Sequence, residues 1–169
     1  GKGIPAALLM SSVATGLRVQ TESVYSIGEI VGRLNRTICH HTRQEQFATV
    51  FYGVLNVANR MLTYVNAGHD YPVILRKGEQ IPLKVGGRPP GIYPESTYKE
   101  ERVQLEPNDV LVMYTDGYAD VFNAEEEIFG EDRLFQAIQR HSALDPDDII
   151  WGAQEALLQF QGTAAGPVD

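Results

Sequence analysis

Cysteine, long apolar runs and clustered positive charge are what this sequence has least of. It contains one cysteine, Cys39, so no intrachain disulfide can form. No apolar stretch approaches the roughly 20 residues that a membrane-spanning helix needs, and no signal peptide is visible. We therefore expect no membrane insertion by this domain and a cytoplasmic location, such as the cytoplasmic part of a larger sensor protein. The 14 Lys and Arg residues are scattered and the net charge is −8, which argues against a nucleic-acid partner.

What remains is the composition of a folded protein. Hydrophobic residues make up 43% of the chain and charged residues 21%, which is typical of a globular domain. A length of 169 residues is enough for one domain and short for two ordinary ones. We therefore predict a single domain over residues 1–169. The chain begins with Gly1 and not with methionine, so we expect it to be a piece of a longer protein.

The hydrophobic periodicity changes twice along the chain. Helical spacing comes first, strand-like runs follow, and helical spacing returns at the end. The predicted helices cover about residues 5–21, 26–38, 116–122, 131–141 and 146–160, and the predicted strands cover 47–55, 61–65, 71–75, 98–105 and 110–114. Ser26 and Glu29 match a capping box, and Asp145 is placed to cap the last helix. The glycines and prolines of residues 85–94 predict a loop. Segregated helices and strands favour an α+β fold.

Asp116 is the sharpest local signal for chemistry. It directly follows the apolar strand of residues 110–114 and Thr115, and it precedes Gly117. A carboxylate at the end of a buried strand is the kind of oxygen ligand that Mg²⁺ and Mn²⁺ prefer. The alternative is that Asp116 is the N-cap of the next helix, and taken alone the feature favours the cap.

Two further motifs are weaker. Gly1-Lys2-Gly3 opens a helix and resembles a phosphate-binding loop, although two glycines at a helix start are common. Asn66-Ala67-Gly68-His69 could hold a general acid or a metal-binding imidazole. The alternative is a turn in which Gly68 has positive φ and Asn66 and His69 bond to nearby backbone, and the pattern alone favours it.

These motifs occur in an order that is found in one family. The matching stretches cover nearly the whole chain: residues 1–10, 47–53, 62–69, 86–91, 105–117 and 129–130. The sequence resembles the bacterial SpoIIE-like branch of the PPM family, the type 2C serine/threonine phosphatases. The resemblance implies a four-layer αββα sandwich of two antiparallel sheets flanked by helices. It also implies two or more Mn²⁺ or Mg²⁺ ions, which activate a bridging water for attack on a phosphoserine or phosphothreonine.

The resemblance assigns roles residue by residue. Asp116 matches a metal-binding aspartate of the family, and Asp169 stands where the closing metal-binding motif would begin. Supporting roles fall to residues that surround these ligands in the family's motifs: Gly1, Lys2, Gly3, Thr115, Gly117, Asn66, Gly68 and His69. The implied substrate is a phosphorylated regulatory protein, an anti-sigma-factor antagonist.

The match also has gaps. The family's first strands, its last strand and further metal ligands are missing from the sequence. We therefore expect this piece alone to be inactive or weakly active. Exposed sheet edges should invite pairing into a homodimer. The competing hypothesis is a non-catalytic, phosphatase-like interaction module.

Overall fold

The computed structural model describes residues 3–20, 26–41 and 47–162. They belong to two compact units, one within Gly1–Tyr71 and Leu83–Glu106 and the other within Pro72–Pro82 and Pro107–Asp169. The helices are α1 (Ile4–Gln20), α2 (Ile27–His41), α3 (Asp116–Ala119), α4 (Gly130–His141) and α5 (Pro146–Gln161). The strands are β1 (Val50–Asn56), β2 (Met61–Ala67), β3 (Val73–Arg76), β4 (Glu79–Pro82), β5 (Gly86–Gly87), β6 (Glu101–Gln104) and β7 (Val110–Val112).

The first unit is built around β2. On one edge β2 pairs antiparallel with β1 through the predicted hairpin. On the other edge it pairs antiparallel with β6 over Met61 to Tyr64, and parallel with β5 at Asn66 and Ala67. Both edges of β2 are therefore occupied within the described residues.

The core of this unit lies between α2 and β2. Ile27, Ile30 and Val31 of α2 form one buried cluster with Val65 and Ala67 of β2. Burying one such aliphatic side chain contributes about 1.5–3 kcal/mol. This packing explains why α2 has one strongly apolar face, as the sequence periodicity indicated.

The second unit has its own sheet and core. Its strands are ordered β4-β3-β7, all antiparallel. The core combines side chains of this sheet with those of α4, α5 and the segment before α4: Val73, Leu75, Val112, Phe129, Leu134, Phe135, Ile138, Ile149 and Ala153. A bidentate ion pair joins the end of β3 to the turn before β7, because Arg76 Nη2 lies 2.6 Å and Nε 2.9 Å from the carboxylate of Asp109.

The α+β class is confirmed, and the predicted helices recur within a few residues of their expected ends. Two strands, β5 and β4, were not predicted. Residues 85–94 were predicted to be loop, yet Gly86 and Gly87 pair with β2, because a glycine pair can lie flat against a neighbouring strand without showing any hydrophobic pattern. The short, polar β4 was also not predicted. It is largely exposed, so it has no hydrophobic pattern, and it is a strand because it pairs with β3.

The helix caps were only partly predicted. Glu29 N donates to Ser26 Oγ at 3.4 Å, which is half of the expected capping box. The other half is replaced, because the Glu29 carboxylate pairs with Arg33 at 2.8 Å. Asp145 is the N-cap residue of α5, but its side chain makes no capping hydrogen bond.

None of the helices within the described ranges is both long and apolar enough to cross a membrane.

Candidate functional site

Asp116 is the first residue of α3, and Thr115 is its N-cap, with extended backbone at φ −122° and ψ 162°. The alternative that Asp116 caps this helix is therefore wrong. The helix bonds begin at its backbone, since Asp120 N donates to Asp116 O at 2.8 Å. The side chain of Asp116 is thus not used to start the helix.

The carboxylate of Asp116 is exposed, as are Thr115 and Gly117 on either side of it. Among the described residues, the carboxylate makes no hydrogen bond or ion pair. A Cβ added at Gly117 would approach only Thr115 Oγ1, at 3.5 Å, so the surroundings are open. An anionic oxygen donor without a partner among the described residues, held at the start of a helix, fits one ligand position for a hard cation.

The Asn66–His69 turn has the conformation that the sequence alternative described. Asn66 is 3% exposed. Its Oδ1 accepts from His69 N at 2.9 Å, and its Nδ2 donates to His69 O at 3.0 Å and to Leu83 O at 3.4 Å. Gly68 has φ 73°, as predicted. The amide of Asn66 therefore closes the turn, and its polar atoms are engaged in doing so.

His69 itself is half-buried, with Nδ1 3.3 Å from Thr49 Oγ1. Within the described residues Nε2 has no partner, so one ring nitrogen remains available. Gly68 is pressed against the loop that follows β5, because a Cβ at this position would lie 2.3 Å from Pro89 Cγ. The turn and this loop are consequently one packed element.

The remaining predicted site residues divide into described and undescribed ones. Gly3 has φ 80° and its carbonyl accepts from Ala7 N at 3.1 Å, so it starts α1. Gly1, Lys2 and Asp169 lie outside the described residues, and their predicted roles stay predictions. Within the described ranges, no three His, Cys, Asp or Glu side chains are grouped as a metal site.

Two tyrosines in the first unit have perturbed acidity. Burial, reinforced by a hydrogen bond from the Tyr64 hydroxyl to the Glu101 carboxylate, raises the pKa of Tyr64 far above its usual value. Burial also raises the pKa of Tyr98 to about 12. Both rings therefore stay neutral at physiological pH and do not serve as bases there.

Sequence reasoning missed one buried polar residue, Asn35 of α2, which is fully buried. Its Oδ1 accepts from Gly91 N at 2.9 Å, and its Nδ2 donates to Tyr93 O at 2.8 Å and Pro94 O at 3.2 Å. A signal was present, because position 35 follows Val31 by four residues and so lies on the apolar face of α2. An amide at such a position indicates a specific buried partner.

A family model described as Stage II sporulation protein E (SpoIIE) matches residues 1–167. The chain belongs to the SpoIIE family. Protein IcfG from Synechocystis sp. is 37% identical over 125 residues, covering 73% of this chain and 20% of that protein. The phosphoserine phosphatase RsbU from Bacillus subtilis is 26% identical over 163 residues, covering 95% of this chain and 48% of that protein. This SpoIIE-family chain thus spans about half or less of these relatives.

Solved structures show the fold of this SpoIIE-family chain. The SiaA-PP2C domain of Pseudomonas aeruginosa superposes with a TM-score of 0.80 at 19% identity, covering 96% of this chain and 65% of that one. The RsbU and RsbW domains of a Mycobacterium tuberculosis protein give 0.77 at 22% identity, covering 94% and 45%. The PP2C phosphatase domain of SpoIIE from Bacillus subtilis, with a fragment of its regulatory domain, gives 0.74 at 17%, covering 96% and 48%. The chain therefore has the PP2C phosphatase fold.

Proposed function

We propose that this chain is the catalytic domain of a metal-dependent phosphatase that removes phosphate from phosphoserine or phosphothreonine in a regulatory protein, an anti-sigma-factor antagonist. The family and the fold support the reaction class, and the relative RsbU is named a phosphoserine phosphatase. The single observation that carries the proposal is the exposed carboxylate of Asp116 at the start of α3, which has no partner among the described residues.

The chain's own residues would act as ligands and supports. Asp116 would hold a Mn²⁺ or Mg²⁺ ion through a carboxylate oxygen, with Asp169 as a further ligand. Thr115 is the N-cap of α3 through its backbone, since its carbonyl accepts from Tyr118 N at 3.0 Å and its side chain makes no capping hydrogen bond. We assign the packed Asn66–His69 turn of the first unit a supporting role. When bound, the metal ions supply a water of lowered pKa as the nucleophile and neutralise charge on the phosphoryl oxygens.

A metal ion bound by Asp116 needs further oxygen ligands besides this carboxylate. Mg²⁺ takes about six oxygen ligands in octahedral geometry, and one aspartate provides one or two of them. A crystal of the SpoIIE phosphatase domain from Bacillus subtilis was presoaked with Mn, and that domain superposes on this chain with a TM-score of 0.55. This supports Mn²⁺ as the first ion to test.

The decisive experiment compares the full-length protein with its Asp116→Asn variant. We expect Mn²⁺-dependent phosphate release from a phosphoserine protein substrate by the wild type, and a loss of at least about a hundredfold in the variant, because a metal ligand is removed. Mn²⁺ affinity, measured by titration calorimetry, should fall in parallel. The matched control is Asp147→Asn, which removes an exposed carboxylate from the first turn of α5.

Two results would contradict the proposal. One is an Asp116→Asn variant whose activity and Mn²⁺ affinity equal those of Asp147→Asn. The other is a full-length wild-type protein that binds the phosphorylated protein but never releases phosphate, which would favour the non-catalytic interaction module.

A further inference from the structure

The segment of residues 84–94, which contains β5 and the loop after it, differs in charge from the rest of the chain. The protein carries a net charge of −8, yet residues 84–94 contain two basic side chains, Lys84 and Arg88, and no acidic one. A negatively charged protein repels a phosphoprotein at long range, so recognition needs local positive charge. This loop provides such charge in the first unit.

The loop is fixed by contacts that do not involve the side chain of Arg88. Val85 O accepts from Asn66 N at 2.9 Å, and Pro90 O accepts from Ala48 N at 3.0 Å. Gly91 N donates to Asn35 Oδ1 at 2.9 Å. Backbone hydrogen bonds thus hold the loop on both sides of residue 88, and the arginine is not needed for its conformation.

The Arg88 side chain is exposed but oriented. Its Cζ lies 4.9 Å from the centroid of the Tyr93 ring, and the backbone carbonyl of Tyr93 is itself bound by Asn35. Arg88 makes no ion pair with any described residue. Stacking on a ring leaves the in-plane N–H groups of a guanidinium free, and these match the geometry of a carboxylate or phosphate.

The position of Arg88 follows from its two neighbours in the first unit. Gly87 pairs with Ala67 of β2, and Pro89 lies against Gly68. Arg88, between them in sequence, therefore lies beside the Asn66–His69 turn.

We propose that Arg88 binds an anionic group of the phosphoprotein substrate, either the phosphoryl group or a carboxylate next to the phosphorylated residue. This rests on the proposed function, since that function supplies the substrate. Arg88 is a recognition residue that binds the oxyanion through a guanidinium already held by Tyr93. The low conformational freedom of the loop reduces the entropy lost on binding.

The test measures the Kd of the full-length protein for fluorescent peptides, so it does not depend on turnover. Three peptides are used: phosphoserine with flanking glutamates, phosphoserine with flanking glutamines, and unphosphorylated serine with flanking glutamates. Arg88→Ala should raise the Kd about three- to tenfold, as expected for loss of one charge-assisted contact at a solvated site. Arg140→Ala, which removes an exposed arginine from α4, is the matched control and should leave the Kd unchanged.

The peptides separate the two sources of negative charge. If Arg88→Ala weakens binding of the two phosphopeptides and not of the unphosphorylated peptide, Arg88 contacts the phosphoryl group. If it weakens binding of the two glutamate peptides and not of the glutamine peptide, Arg88 contacts a carboxylate. Tyr93→Ala should reproduce part of the Arg88→Ala effect, whereas Tyr93→Phe should not, because Phe keeps the ring. An Arg88→Ala protein that binds every peptide like the wild type, or an equal effect of Arg140→Ala, overturns the inference.

The two proposals fail in different ways. Turnover that survives Asp116→Asn contradicts the proposed metal site and leaves the Kd comparison valid. A normal Kd for Arg88→Ala contradicts the recognition role even if Asp116→Asn is inactive.

Discussion

Replacing Asn35 with alanine should destabilise the first unit more than replacing an exposed asparagine does. Asn35 is 0% exposed and is bound to three backbone groups of the 91–94 segment, at 2.8 to 3.2 Å. Its loss leaves the buried N–H of Gly91 without an acceptor, which costs about 1–3 kcal/mol. The exposed Tyr93 and Pro94 can turn their carbonyls to water at smaller cost.

With the small cavity added, the expected loss in free energy of unfolding is about 2–4 kcal/mol. In a chain of this size that corresponds to a drop in Tm of about 5–15 °C. Asn35→Asp should cost at least as much at neutral pH, because it keeps the acceptor for Gly91 but turns a carboxylate oxygen toward the Tyr93 carbonyl.

The measurement is urea unfolding followed by circular dichroism, with hydrogen exchange at Gly91 as the local readout. Asn59→Ala is the control, since Asn59 is exposed and its Oδ1 accepts a single turn hydrogen bond from Met61 N at 3.1 Å. It should cost at most about 1 kcal/mol. If Asn35→Ala unfolds within about 0.5 kcal/mol of this control, or if Gly91 stays equally protected, Asn35 does not anchor the loop.

Two further predictions concern a glycine and a tyrosine of the first unit. Gly68→Ala should lower the free energy of unfolding by about 2 kcal/mol or more, because Gly68 has φ 73° and the new Cβ meets Pro89. The control Gly162→Ala has nearly the same φ, 74°, but its Cβ meets nothing within 4 Å, so it should cost about 1 kcal/mol. Equal losses in urea unfolding would refute the packing argument. Burial raises the pKa of Tyr98 to about 12 from a usual 10.0. Between these two pH values the folded state keeps a proton that the unfolded state releases. Tyr98 therefore contributes stability that is fully present below pH 10 and is lost as the pH rises to 12. Tyr98→Phe should weaken this alkaline loss, measured as the change in unfolding free energy between pH 9 and 11, and an unchanged slope would contradict it.

The elements that the sequence predicted well are those whose pattern follows from burial on one side. The apolar face of α2 and the strands of the β1–β2 hairpin belong to this class. The elements that it missed are held by backbone pairing alone. Gly86 and Gly87 have no side chains to form a pattern, and their place in the sheet depends on β2, about 20 residues earlier in the chain.

The candidate site shows the same division. The local sequence predicted that Asp116 lies between a strand and a helix. Only the structure showed that Thr115 is the N-cap and Asp116 the first helical residue, since the two positions differ by one residue. The burial of Asn35 had a signal in the sequence, but its partners could not be predicted, because they are more than 50 residues away and are backbone groups that any sequence would offer. Arg88 also gave no local signal, since its orientation depends on Tyr93 and on a loop fixed from elsewhere.

The two-sided use of β2 has a consequence for how this domain can diverge. β5 and β6 return to the same edge of β2, so the residues between them, 88–100, leave the sheet and rejoin it a few positions apart along one strand. With both ends fixed, doubling the length of this segment adds only about 0.6 kcal/mol of loop-closure free energy. Insertions at the exposed Glu95 leave both the hydrogen-bonding register of the sheet and the Asn35 contacts of residues 91–94 in place. Within the first unit, this is the place where related proteins can acquire a new specificity without acquiring a new fold.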